Sequence, residues 1–226
     1  MSENSDFFPQ VMLRYKIHSL QPDVDQDFIA ALLHSFEEKA FCAKDFEPFP
    51  IEMIVDYILR THVYYLQKKL PEIEQSIILL SGHYHSQHPV LTALQNFFHR
   101  YCQDLTHHIH EEETKLLPYI ASMCRATHAP EHFSRYTLSH LRYSVSLFLD
   151  DHHDTEDELR DIRHTIGLYE PPATNESLCR ILIAQLQTFE HDLQVHAHIE
   201  EKVLIPKALK MEADLKEQLL QTAKWN

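Results

Sequence analysis

HIHEEETKLLP, residues 108–118, is echoed at residues 196–206 by HAHIEEKVLIP. In both strings a glutamate follows a histidine by four residues and a proline follows the glutamate by six. A separation of four brings two side chains to the same face of a helix, one turn apart. The residues upstream say which face. Steps of three and four lead through Leu94, Phe98, Tyr101 and Leu105 to His108, Glu112 and Leu116. The same steps lead through Leu178, Leu182, Leu186, Phe189 and Leu193 to His196, Glu200 and Leu204. Each His–Glu pair therefore continues an apolar stripe, the pattern of a helix side that faces a core.

The rest of the chain supports a helical reading. Its 226 residues include only two glycines, against a usual share of about 7%. Turns and bulges of β-rich folds need more than that, so the composition predicts an all-α protein. Pro50, Pro89 and Pro130 each precede a helical pattern, the position where a missing N–H does no harm, and Thr174 and Asn175 offer a cap. Long helices are predicted near 50–80, 89–124, 131–166 and 175–210, with loops at 81–88, 125–130 and 167–174. Short connections make them antiparallel neighbours in an up-down-up-down four-helix bundle. An amphipathic segment at 25–39 precedes them, and 210–222 follows or extends the last. Pro71, Pro118 and Pro206 fall inside helical patterns and are expected to kink or end each helix. No linker separates two domains; the expected organisation is an N-terminal helical segment, 1–49, and a bundle, 50–226.

Charge and composition exclude several functions. Thirty-four acids against 20 bases leave a formal net charge of −14, a surface that repels phosphate backbones and anionic lipid. Nucleic acid and membrane are not expected partners. No signal-peptide pattern opens the chain, and no apolar run approaches about 18 residues, so a cytoplasmic location is expected. Four scattered cysteines form neither a disulfide framework nor a zinc ribbon, and Cys42, set among acids and aromatics, reads as structural. Two glycines supply no phosphate loop or nucleophile elbow. Nineteen histidines are the feature that needs an account.

The other two helices add one inward histidine each. Ile51, Val55, Ile58, His62 and Leu66 form a stripe on the first. Leu141, Val145, Phe148, His152, Leu159 and Ile162 form one on the third; phase favours His152, while adjacent His153 shares its face with Ser146 and Arg160 and is the alternative. A lone inward histidine is usually a hydrogen-bonded core residue, and a lone His-x3-Glu usually a surface pair. The doubled string with matched prolines and matched stripe phase outweighs those readings. Burying carboxylates in an apolar bundle is unfavourable without a compensating cation. Four imidazoles and two carboxylates suit a dinuclear metal site, with each glutamate able to bridge. Without thiolate, that donor set suits iron, manganese or zinc. His107, His110, His198, Glu111, Glu113 and Glu201 mostly point elsewhere, as solvated groups or supports of the ligands, and Tyr101 reads as core packing.

These residues resemble the hemerythrin-like cation-binding family of non-haem di-iron four-helix bundles, over about residues 50–210. The stretch PPATNESLCRILIAQLQTFEHDLQVHAHIEEKVLIP, 171–206, is closest to the branch that repairs iron–sulfur centres after nitric oxide or peroxide damage. The resemblance implies two iron ions held by His62, His108, His152 and His196, with Glu112 and Glu200 as bridging carboxylates and an oxo or hydroxo bridge. It also implies a fifth histidine in the turn before the second helix, where HYHSQHP offers His85, with His83 as its rival. Three departures stand out. The adjacent cysteines of the branch's N-terminal domain are absent from residues 1–49, which hold only Cys42. In many relatives the first ligand sits where this chain has Val63. DDHHDTEDEL matches the third-helix pattern loosely.

The function the resemblance implies is stress defence: iron–sulfur cluster repair by iron donation, or nitric oxide, oxygen or peroxide chemistry at the iron pair. Iron–sulfur proteins would be the acceptors. The alternative is a storage or sensing module that binds oxygen or nitric oxide without catalysis, and a third reading is a structural bundle whose histidines merely titrate.

Overall fold

Prolines expected to kink or end three helices sit inside continuous rods, each just after a π turn. The computed structural model describes residues 7–17, 25–37, 41–82, 89–128, 143–151 and 176–224. Two short helices come first, α1 (Phe8–Ile17) and α2 (Gln26–Glu37). The first rod is α3 (Ile51–Tyr64), a π turn at Tyr65–Lys69, and α4 (Leu70–Gly82). The second is α5 (Pro89–Glu111), a π turn at Glu112–Leu116, and α6 (Leu117–His128). After α7 (Val145–Asp151), the last rod is α8 (Glu176–Ile199), a π turn at Glu200–Leu204, and α9 (Ile205–Lys224).

Each proline is the second residue after a π turn. Its ring would press on the carbonyl four residues back and it has no N–H to donate. The wide turn relieves that conflict: Leu70, Leu117 and Ile205 donate to carbonyls five residues back, those of Tyr65, Glu112 and Glu200. The helix then resumes. Such one-turn insertions are frequent at functional sites, and here all three fall next to the His and Glu residues of the stripes.

Other boundaries also shift. The loop expected from 125 is helical to His128, and the 210–222 segment extends the last rod rather than following it. Residues 83–88, Pro130, Thr174, Asn175 and most of the predicted third helix lie outside the described residues; α7 carries its inward Val145 and Phe148, both buried.

The rods pack as an antiparallel bundle. α4 lies against α5 and α3 against α6, so the first two rods form a helical hairpin. α8 lies against α4 while the following π turn meets α3, which sets the last rod antiparallel to the first; α9 packs on α6 and α7. Two apolar clusters fill the interior. One joins Val11, Phe28 and Leu32 of α1 and α2 to Tyr57, Ile120 and Ala208 of the rods. The other gathers Tyr65, Phe98, Tyr101, Leu182 and Phe189. The His–Glu residues lie at the waist between them, flanked by Ile58 and Leu116 on one side and Leu105 and Leu193 on the other. Among the described residues no helix is long and apolar enough to cross a membrane.

Candidate metal centre

Four of the inward residues, His62, Glu112, His196 and Glu200, are buried, and His108 is 19% exposed. They converge from three rods. One ligand atom from each of His62, Glu112 and His196 lies within 4.8 Å of the others, and so does one from each of His108, Glu112 and Glu200. Glu112 belongs to both groups. Its two oxygens face different partners: Oε2 is 3.0 Å from His62 Nε2 and Oε1 is 2.8 Å from His108 Nε2. His196 Nε2 is 3.9 Å from Glu200 Oε2, beyond a hydrogen bond. The π turns beginning at Glu112 and Glu200 put each glutamate at the point where its rod widens.

The electrostatics of the cluster are unbalanced in a way a cation would correct. Burial and the neighbouring Glu112 carboxylate push the Glu200 carboxyl well above its ordinary range. Burial, reinforced by His62, lowers His196 to about 3, so its imidazole is neutral and its lone pair free to ligate. Burial alone would lower His62 as well, but Glu112 and Glu113 outweigh it and hold it above the usual value. The His62 and His196 rings are 5.2 Å apart. His196 Nδ1 is buried with no hydrogen-bond partner among the described residues. A multivalent cation fits this set: imidazole and carboxylate donors in two groups, with one carboxylate common to both.

His85 and His152, with their alternatives His83 and His153, lie outside the described residues. Of the neighbours set aside from the stripes, His107, His110 and Glu201 are exposed and His198 packs its ring 5.3 Å from Phe41. Glu113 does reach the centre, with Oε1 3.1 Å from His62 Nδ1. A histidine that ligates through one nitrogen usually donates its other N–H to such a carboxylate. Tyr101 packs between Phe98 and Phe189, as its stripe position predicts. Burial pushes the Cys102 and Cys124 thiols up to about 12, so neither is a thiolate near neutral pH.

Sequence reasoning missed three supports. Arg14, Asp192 and Tyr65 are all buried next to the centre. The Asp192 signal was present, since it precedes His196 by four residues on the same helix. Arg14 left no comparable trace.

Similarity to known proteins agrees with this geometry. Residues 59–208, well over half of the chain, match the hemerythrin HHE cation-binding domain. The chain is similar to the iron–sulfur cluster repair protein ScdA of Staphylococcus haemolyticus, 21% identical over 154 residues, which cover 68% of this chain and 65% of that protein. It thus spans slightly less than two thirds of that relative's length. It is also similar to the iron–sulfur cluster repair protein YtfE of Pectobacterium atrosepticum, 23% identical over 190 residues, or 84% of this chain and 80% of the relative. The YtfE protein of Musicola paradisiaca is 31% identical over 111 residues, covering 49% of this chain and 44% of that protein. Two imidazole and carboxylate groups meeting at one shared glutamate, in a chain matched over residues 59–208, place the chain in the hemerythrin HHE cation-binding family.

Proposed function

We propose that the chain is a di-iron protein of nitrosative and oxidative stress defence that repairs iron–sulfur clusters by donating iron. The observation that carries this reading is the participation of Glu112 in both donor groups, joined to the names of the relatives, which are cluster repair proteins. In this reading His62 and His196 would hold one iron and His108 and Glu200 the other, with Glu112 and Glu200 as the carboxylates common to both; His152 and His85, outside the described residues, would complete the set. An iron pair, when bound, supplies one-electron chemistry toward nitric oxide, oxygen or peroxide and is itself a store of transferable iron.

The protein's residues set how firmly that iron is held. His196 contributes a neutral imidazole at neutral pH, with no proton to lose. Glu200 must give up its proton, so metal uptake releases protons and weakens as pH falls. We place the protein in the cytoplasm, a reading supported by the free state of Cys42, Cys102, Cys124 and Cys179. In this reading the bundle of residues 50–226 carries the centre and residues 1–49 form an N-terminal helical segment, whose α1 packs on α3 and α2 on α8.

Transfer tests the proposal. Iron-loaded protein mixed with an iron–sulfur protein whose cluster nitric oxide has damaged should restore the cluster's absorption as iron leaves the donor. Iron that stays bound while the cluster remains broken would overturn donation. If oxygen or nitric oxide instead changed the oligomer size, the sensing alternative would take its place.

Glu200 offers a test on the metal-free protein. Its folded-state pKa lies above the ordinary 4.5, so its protonated form stabilises the fold below that value and the contribution is lost as pH rises. His196 acts oppositely, since its pKa drops from 6.5 to about 3 on folding and stability is lost as pH falls through that interval. Glu200→Gln removes the first effect only. Above pH 7 the metal-free variant should melt higher than metal-free wild type while binding less metal. A lower melting temperature in the variant would contradict this account of the cluster.

A further inference from the structure

Arg14 of α1 is fully buried and pairs with Asp192 of α8, also fully buried. Its Nε donates to Thr61 Oγ1 at 3.2 Å, and Thr61 is the residue before His62. The guanidinium lies 4.6 Å from the centre of the Tyr64 ring. Asp192 Oδ1 accepts from the Tyr65 hydroxyl at 2.7 Å, and the Tyr65 ring stands edge-on to His196 with centroids 5.6 Å apart. One cation from α1 thus touches residues beside both His62 and His196.

Three atoms in this group are unmatched among the described residues: Arg14 Nη1, Asp192 Oδ2 and His196 Nδ1 are each buried without a hydrogen-bond partner. Asp192 and His196 are four positions apart on α8, which puts them on one helix face. They are complementary: with its proton on Nδ1, His196 is a donor there and the carboxylate oxygen an acceptor. That tautomer leaves Nε2, the nitrogen nearer Glu200, with the lone pair a metal needs. Arg14 lies well before the family match, which begins at residue 59, so the guanidinium comes from outside the matched domain.

We propose that Arg14 and Asp192 are positioning residues of the metal centre. The α1 guanidinium fixes the Asp192 carboxylate, and on metal binding its unmatched Oδ2 would accept a hydrogen bond from His196 Nδ1–H, aiming Nε2 at the metal. The inference rests on the metal-site reading given above. It makes the N-terminal helix part of the centre's construction. The arrangement is the carboxylate–histidine–metal relay, whose loss typically lowers metal affinity about 10- to 100-fold.

The test uses the full chain and Zn(II) as a diamagnetic probe. Arg14→Met with Asp192→Leu removes both charges and the acceptor without stranding a buried ion. Arg14→Met with Asp192→Asn removes the charges but leaves an amide oxygen for Tyr65 and His196. Chelator competition should show the Leu pair binding Zn(II) about ten-fold more weakly than wild type or worse, and the Asn pair between the two. Proton–nitrogen NMR of the Zn(II)-loaded protein should show His196 Nδ1 protonated and slow to exchange in wild type, shifted in the Asn pair, and fast-exchanging in the Leu pair. If the Leu pair fails to fold, the Asn pair decides by the same two measurements. Wild-type affinity together with an unshifted His196 signal in the variants that fold would reduce Arg14–Asp192 to a structural staple and overturn the proposal. A wild-type chain that takes up no Zn(II) would overturn the metal reading and this inference together.

Discussion

Glu112→Ala should leave iron-loaded protein with at most one ion per chain, against the two expected of wild type under the proposed di-iron reading. The effect follows from the shared position of this side chain. Its two oxygens face His62 and His108 separately, and it belongs to both donor groups. Without it, each group loses one donor and the anion that stood between two cations disappears. Like charges a few ångströms apart in a poorly screened interior repel strongly, so the second ion goes even where its remaining ligands survive. Glu200→Ala should also remove at least one metal, because Glu200 belongs to the His108 group and faces His196. Elemental analysis of both purified variants checks this, with circular dichroism to confirm that they fold. Two ions retained in both would contradict the ligand set.

Arg14→Met alone should lower the stability of the metal-free protein by about 3–5 kcal/mol, the usual effect of stripping one partner from a buried ion pair. Burial disfavours the Arg14 charge, but Asp192 together with Tyr57, Tyr65 and Tyr64 outweighs that and keeps the guanidinium protonated. Once Met replaces it, Asp192 keeps only the Tyr65 hydroxyl among its buried partners. A substitution of this size should depress Tm by roughly 10 °C in a chain of this length. The Asp192→Asn change in the same chain should restore most of the loss, since the stranded charge goes with it. Thermal melts of the single and double variants measure the difference; equal melting temperatures would mean that the pair contributes little beyond packing.

The two predictions differ in how far their residues were legible beforehand. Glu112, His196 and Glu200 could be placed inward because a helix repeats every 3.6 residues, so each stripe carries its own register from one turn to the next. His62 followed from the same phase, and the structure buries it fully. The π turns were not legible as such. One extra residue per turn slips the register locally, and the prolines marked the location of that slip while suggesting a kink or an end. Arg14 was invisible for a different reason. Its burial is set by Asp192, a residue 178 positions away, and no local pattern announces a long-range ion pair. Glu113 lay off the stripe, yet its long side chain reaches back to His62 Nδ1. His85 and His152 rest on the resemblance and, for His152, on helical phase.

The division of the core explains why polar residues are tolerated at this depth. The two apolar clusters carry the packing above and below, so the waist between them can hold carboxylates and imidazoles that would otherwise weaken the bundle. Raised Glu200 and depressed His196 are signs that the waist is poorly satisfied by protein groups alone. Metal binding should therefore stabilise the fold, through the free energy of binding to the native state only.

Mössbauer spectroscopy of the full chain loaded with iron-57 examines the shared centre most directly. Two irons per chain, magnetically coupled to each other in a single site, are expected. A single uncoupled iron, or two irons with independent spectra, would contradict a centre built around Glu112.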